Sequence, residues 1–587
     1  MKNRLLLLLM GVFCLSNASF AQTADWRNAR NGDPIYTNGY CDQPYVVVLP
    51  DGKWLCVFTT NQNQEGAKGQ HIVSTVSADQ GQTWSEPVRI EEPGTESASW
   101  AMPYVTDFGR VYVFYDYNGD KIHTLGNRKN IREDIVGWYC YKYSDDQGRT
   151  WSERYRLDVP KTTADLTNDW GGKVQIMWGI GKPIRYGRGM MFAFTKIQKY
   201  MLFNSEGWFF RCENIDRERD VTKLKFTMLP EGDEGVKNPA YGPINSEHNI
   251  VPLNNGDLYC MHRTISGYPL ESYSRDGGRT WTLPVPPTYV TGNPIKHPRA
   301  CPRIWKCKNG KYLFWHHNNG GKTYQHRNPV WISGGVERDG KIVWGQPEIL
   351  FYENDTRVGM SYPDLIEQDG KYWITETNKE AARCHLIPND FIEALWSEFD
   401  IPEAVTDHMV CSVSGDSLRE RDTIQVEGAA EVDFSRGMTI DMTVELASAS
   451  ANQEILRLND RYGKSISLRT GTYGDIEVSI VDGAQVSTWT SDPGLIPPFG
   501  KQDVAVVLDN GPRIIQFVVN GKVCDGGTFR QFGWGRYKAD LGRFELSNVL
   551  TRRLAAENPE ATRGYYHLAI YNRPLLNAEV VGNHAVR

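Results

Sequence analysis

A chain of 587 residues is too long for one ordinary domain, and a net charge of −6 with no Lys/Arg cluster argues against a nucleic-acid surface. High Trp, Tyr and Gly content with few helix-periodic stretches points to an all-β protein. The cysteines are scattered, with no C-x-x-C pair and no metal-ligand spacing, so no metal site and no cofactor is expected; most, Cys56, Cys140 and Cys260 among them, read as buried free thiols within strands.

The chain opens with basic Lys2 and Arg4, a short apolar core from Leu5 to Leu9 and small residues up to Ala21. This is the pattern of a secretory signal peptide over residues 1–21, too short to span a membrane, and no later stretch is long enough to do so. The mature chain is therefore expected to be exported, to a periplasm or beyond. From residue 22 to 400, six segments share one plan: a polar loop, a strand, a turn containing Gly, and a second strand of alternating apolar residues. They open near Asp42-Gln43-Pro44, Ala101-Met102-Pro103, Ile180-Gly181-Lys182, Glu247-His248-Asn249, Ala300-Cys301-Pro302 and Ser361-Tyr362-Pro363. Residues 388–398 form the one convincing helical turn, expected to be a linker. Beyond it, residues 401–587 return to alternating strands such as Met438–Leu446, Asp503–Leu508 and Ile514–Val519.

Three hairpins carry the same Ser-x-Asp-x-Gly-x-Thr-Trp turn, at Ser77–Trp84, Ser144–Trp151 and Ser274–Trp281. In such a turn the Asp caps nearby amides, the Gly takes positive φ, and the Trp folds back to pin the hairpin. The second interval between the turns is about twice the first, so a fixed repeat with strands between its marks is expected, which describes a radial β-propeller. The turns resemble the Asp-box (BNR) repeats of sialidase-like propellers. With six strand units, the resemblance implies a six-bladed propeller over residues 22–400, whose first strands line a central channel. The boxes themselves read as hairpin staples without chemistry. The stretch Tyr565–Leu575 resembles the last strand of laminin-G/concanavalin-like jelly rolls, so residues 401–587 are expected to form a β-sandwich, either a carbohydrate-binding module or a structural companion.

The resemblance also suggests site residues. Glu247 opens one strand and Arg263 closes the next, at the interval of the sialidase general base and one carboxylate-binding arginine. Planar guanidinium binds a carboxylate through two parallel hydrogen bonds, which suits that role. Ser361-Tyr362-Pro363-Asp364-Leu365 is similar to the stretch that carries the sialidase nucleophile, with Glu376 where the family places an acid that orients an arginine. Arg327, Arg299 and Arg303 compete for the last arginine of the triad. The first unit departs from the family: Asp42-Gln43-Pro44 stands where sialidases place Arg-Ile-Pro. The family's proton donor would then be Asp42 or Glu65, with Gln43 beside it.

A tyrosine nucleophile makes chemical sense for an anionic sugar, because it carries no charge until its proton moves to a neighbouring acid. The leading expectation is an exported exo-glycosidase that releases a terminal acidic sugar, sialic acid first among them, from a sialylated or uronic-acid-containing glycan. Two alternatives stand beside it: a uronic-acid glycosidase or a lyase using His248 near Arg263, and a non-catalytic glycan-binding protein.

Overall fold

A computed structural model describes residues 24–414, 423–424, 432–446, 448, 450–551 and 562–587; the expected signal segment lies outside them. Residues 33–387 form six antiparallel sheets, the blades of the propeller, and one two-stranded ribbon, Thr124–Leu125 with Arg128–Lys129. Their inner strands are Tyr40–Val48, Ala98–Val105, Met177–Trp178 (which leads into Gly189–Lys199), Ser246–Pro252, Arg303–Lys306 and Ser361–Gln368. The ring closes through the start of the chain. Strand Asp33–Tyr36 pairs antiparallel with Ala382–Ile387, setting Asp33 opposite Cys384 and Pro34 opposite Arg383. The sixth blade thus takes its outer strand from the other end of the sequence, covering an edge that would otherwise expose unpaired amides.

Alternating apolar residues fill the space between neighbouring blades. Trp54, Cys56 and Phe58 of the first blade pack with Ile366, Trp373 and Cys384 of the sixth, and the Trp54 and Trp373 rings meet edge to face at 5.1 Å. The three Asp-boxes staple outer hairpins in one geometry. In the first, the Gly81 N–H donates to Ser77 Oγ at 2.8 Å and the Thr83 N–H donates to Asp79 Oδ1 at 2.9 Å. The boxes at 144–151 and 274–281 repeat both distances. Gly81, Gly148 and Gly278 all stand at positive φ, as the turn requires.

The described residues between 409 and 571 form two antiparallel sheets of a sandwich. One runs through Gly437–Leu446, Lys501–Asp509 and Ile514–Val519, the other through Glu454–Asp460, Ser465–Thr470 and Ile476–Asp482. Met442, Val506 and Phe517 from the first meet Leu458, Ile466 and Val478 from the second in one core.

The helix Asn389–Ser397 is more than a linker. Its buried Trp396 donates through Nε1 to the Tyr312 carbonyl of the fifth blade at 2.9 Å. A second helix, Asn577–Ala585, was not legible in the sequence, and it seals the junction of the two domains. Its Ala578 N–H donates to Glu348 Oε1 at 3.0 Å, and Asn577 Nδ2 donates to the Pro347 carbonyl at 2.5 Å. Burial pushes the Glu348 carboxyl up to about 8; the Ala578 and Asn577 amides oppose this, and the Glu579 and Glu398 charges add to it. The folded chain holds a proton there that an unfolded chain sheds near 4.5. Stability from this group is therefore complete below that value and is lost as pH rises through the folded one. The Tm of the wild-type chain should fall from about pH 5 to about pH 8 relative to Glu348→Gln, which loses that slope; parallel curves would refute the assignment.

Candidate active site

Four of the six inner strands share one local irregularity. Between Asp42 and Tyr45, Ser99 and Met102, Ser246 and Asn249, and Ser361 and Asp364, each inner strand inserts one extra residue against its partner. The residue after the first of each pair, Gln43, Trp100, Glu247 or Tyr362, stands in the left-handed region, with φ of 57°, 65°, 54° and 46°. None is glycine, so each position carries local strain that the packed ring sustains. A bulge re-aims a side chain, and here the same device is used in blades one, two, four and six.

Two of these residues meet across the centre. The Tyr362 hydroxyl donates to Glu247 Oε1 at 2.9 Å, and Arg263 Nη1 lies 2.5 Å from the same oxygen. Burial and then the Glu247 charge push the Tyr362 hydroxyl well above its ordinary range, with Arg263 opposing. Tyr362 is therefore a neutral phenol whose proton lies in the hydrogen bond to Glu247. In blades four and six the residue before the bulge anchors an arginine: Ser246 Oγ accepts from Arg263 Nε at 3.1 Å, and Ser361 Oγ accepts from Arg327 Nη1 at 2.7 Å. Arg327 Nη2 donates to the Arg299 carbonyl at 3.0 Å. The Arg299 guanidinium itself has no hydrogen-bond or ion-pair partner among the described residues. Desolvation, followed by repulsion from Arg263, lowers its pKa, while Glu247 and Tyr362 oppose that. Arg263, Arg299 and Arg327 thus crowd one space with a single nearby carboxylate, Glu247. Such an excess of positive charge favours an anionic ligand.

The other half of the centre is a chain of charges. Lys379 is paired with Asp42 and lies 3.2 Å from Glu65, and its ammonium sits 4.3 Å from the centre of the Tyr362 ring. Glu65 also pairs with Arg132 at 2.8 Å, and Arg132 pairs with Asp134. The two carboxylates flanking Lys379 are driven apart. Burial raises Asp42, helped by the Glu65 charge and resisted by Lys379 and the Tyr40 hydroxyl, which donates to Oδ2 at 2.8 Å. Burial also raises Glu65, but Lys379 and Arg132 overcome it and hold that carboxyl down at about 2. A pair of acids separated in this way supplies one proton donor and one permanent charge.

Three sequence expectations need correcting. Arg303 is turned to Tyr45 and Ile180: its guanidinium lies 5.0 Å over the Tyr45 ring and Nη1 donates at 3.4 Å to the Ile180 carbonyl, which also accepts from the Tyr45 hydroxyl at 3.0 Å. It is held there by residues of blades one and three and makes no contact with Tyr362 or Glu247. His248 follows Glu247 but faces the third blade, against Gly207, its Nε2 3.2 Å from the Val236 carbonyl and its ring 4.4 Å from that of His262 at a tilt of 36°. Desolvation lowers it to about 3, so it is a neutral packing residue. Glu376 pairs with His385 at 3.5 Å rather than with an arginine. Gln43 is completely buried, and neither end of its carboxamide has a partner within the described residues.

Sequence reasoning missed Trp100, Trp178, Lys379 and Arg132. Trp100 and Trp178 rings lie 4.4 Å apart in the apolar cluster that also holds Tyr362 and Cys301, so they wall one side of Tyr362. Trp100 carried a readable signal: like Glu247 and Tyr362, it follows a serine at the matching point of an inner strand. The other three come from loops or strands with no such mark. Among the described residues no group of three or more His, Cys, Asp or Glu converges as a metal ion would need.

Six blades, Asp-boxed hairpins and an arginine-rich centre define a β-propeller whose chemistry is concentrated at its axis. The family model of the BNR repeat-like domain matches residues 233–374, and that of the BNR/Asp-box repeat matches residues 142–153. The chain is similar to a sialidase of Clostridium perfringens, 22% identical over 264 residues, which is 43% of this chain and 63% of that protein. It is also similar to a sialidase of Paraclostridium sordellii, 23% identical over 297 residues, 48% of this chain and 69% of the relative. The match to the Clostridium perfringens protein therefore spans less than two thirds of that relative. Similar solved structures include the Trypanosoma rangeli sialidase in complex with 2,3-difluorosialic acid, at TM-score 0.43 and 12% identity over 93% of each chain. Another is the leech intramolecular trans-sialidase, at TM-score 0.44 and 15% identity over 61% of this chain and 70% of that one. The repeated Asp-boxes and the family-model matches identify BNR/Asp-box repeats within this chain, and in them it is similar to the sialidases.

Proposed function

We propose that the chain is an exo-acting glycoside hydrolase that releases a terminal acidic sugar, sialic acid in the first instance, with retention of configuration. The observation that carries this reading is the Tyr362 hydroxyl bound to Glu247 while Arg263, Arg299 and Arg327 converge on the same space. Arg263, Arg299 and Arg327 hold the sugar carboxylate. Tyr362 Oη attacks the anomeric carbon as its proton passes to Glu247 Oε1, and Asp42 gives its proton to the departing glycan oxygen. The C–O bond to the leaving group breaks as the Tyr–carbon bond forms. A water then displaces the tyrosine, losing its proton to Asp42 while Glu247 returns one to Tyr362.

Asp42 with Lys379 stands where the family's first arginine would be, so a uronic acid or another acidic sugar is the second reading. The lyase variant loses its base, because His248 faces away from Arg263. Export through the segment 1–21 would bring the enzyme to such glycans outside the cytoplasm, with a mature chain beginning at Gln22; no helix among the described residues is long and apolar enough to cross a membrane. The test is incubation with sialylated and uronic-acid oligosaccharides, analysed by mass. Release of a monosaccharide with gain of one water supports hydrolysis and names the sugar. Unsaturated products, or binding without release, refute it.

A further inference from the structure

Arg327 ends a long connection, residues 317–329, between strands Tyr312–His316 and Val330–Arg338 of the fifth blade, and this connection has no helix or ladder of its own. Connections of this length hold a fixed shape only when something outside them supplies the contacts. The propeller supplies some of them, with the Met360 N–H donating to the Arg327 carbonyl at 3.3 Å and Asn328 Nδ2 to the Glu353 carbonyl at 2.9 Å, and the sandwich supplies the rest. The Trp534 indole donates to the Asn318 carbonyl at 2.9 Å, the Gly320 N–H donates to the Gln531 carbonyl at 2.8 Å, and Arg536 Nη2 donates to the Asn328 carbonyl at 2.9 Å. The His326 and Phe532 rings meet edge to face at 5.3 Å. From the propeller side, Lys296 Nζ returns hydrogen bonds to the carbonyls of Asp525, Gly527 and Arg530 at 2.7, 2.6 and 3.1 Å. Both neighbours of Arg327 in sequence, His326 and Asn328, are therefore touched by the second domain.

We infer that the sandwich is a working part of the active site: its segment 525–536, through Arg536 above all, positions Arg327 for the substrate carboxylate. This rests on the reading of Arg327 as a carboxylate-holding residue. Arg536 suits the task because its guanidinium is anchored on its own domain by the Pro512 carbonyl at 3.0 Å while it reaches across to the residue next to Arg327. It has no acidic partner among the described residues, and burial alone lowers it to about 10. A half-buried cation answered by two carbonyls and the Trp534 ring 5.5 Å away, with no counter-charge, costs stability, so its place there needs a positional reason. The domain junction and the anion-holding loop are thus one construction.

The test combines two readouts on the full chain. In Arg536→Ala, backbone amides of residues 318–329 should exchange with deuterium about tenfold faster than in wild type, with Tyr312–His316 unchanged. On an acidic-sugar substrate, KM should rise about tenfold with kcat within about twofold, and Arg536→Lys should recover part of the loss. In an Arg327→Ala background, Arg536→Ala should add less than about twofold, because the group it positions is gone. Unchanged exchange in 318–329, or the same KM ratio in both backgrounds, overturns the inference. If wild type acts on no acidic sugar, the proposed function falls and the exchange rates alone judge the positioning role. Should Arg536→Ala fail to fold, Lys296→Met removes the reciprocal contacts and is read the same way.

Discussion

Tyr362→Phe should lower kcat on an acidic-sugar glycoside by about 10³-fold while Tm moves by no more than a degree or two. The substitution removes one oxygen, the atom that attacks, and leaves the aromatic ring in its apolar cluster with Trp100 and Trp178. The hydroxyl makes one hydrogen bond, to Glu247. Its loss leaves Glu247 still paired with Arg263, so the buried charges stay matched and the cost to stability is about 1 kcal/mol. Glu247→Gln is the contrasting case. It strips Arg263 of its counter-charge in a fully buried setting, so it should lower both turnover and Tm. The pair of results separates chemistry from architecture. Turnover within about tenfold of wild type in Tyr362→Phe would remove the tyrosine from the mechanism.

The second large effect concerns Asp42 and depends on the leaving group. With a natural glycan, whose departing alkoxide needs a proton, Asp42→Asn should reduce kcat/KM by about 10³-fold. With an aryl glycoside whose phenol leaves as a stable anion, the loss should stay within about tenfold. Glu65 cannot substitute as donor, because Lys379 and Arg132 keep it ionised. The pH profile tests the same point. A donor must be protonated, so a raised Asp42 pKa carries activity to higher pH before the basic limb falls. Lys379→Met removes the main charge that opposes the rise and should shift that limb upward; Glu65→Gln removes a like charge and should shift it downward. Equal losses on both substrates, or a basic limb that ignores both variants, would rule Asp42 out as the donor.

The architecture was legible because its marks are local. Each Asp-box is a closed set of hydrogen bonds within eight residues, and each inner strand announces itself by alternation, so blade count needed no tertiary information. Tyr362, Glu247 and Arg263 could be named as candidates for the same reason, since each lies within a short recognisable stretch. The errors also have a physical cause. A period of two predicts facing only while the strand stays regular, and one inserted residue at the bulge decides that Glu247 faces the centre and His248 faces the neighbouring blade. Lys379, Arg132 and Trp178 arrive from three different blade segments, and nothing in their own sequence reports that meeting. Nor could composition say which of Arg299, Arg303 and Arg327 was spoken for. That was decided by neighbours far along the chain: Tyr45 and Ile180 hold Arg303, Ser361 holds Arg327, and the guanidinium of Arg299 has no partner among the described residues. The chain alone determined the elements and the local turns, because short-range sterics and hydrogen bonds set them. Which charges share a space was decided only by ring closure and the docking of the second domain, because electrostatic partners are chosen by distance in space and not by distance in sequence.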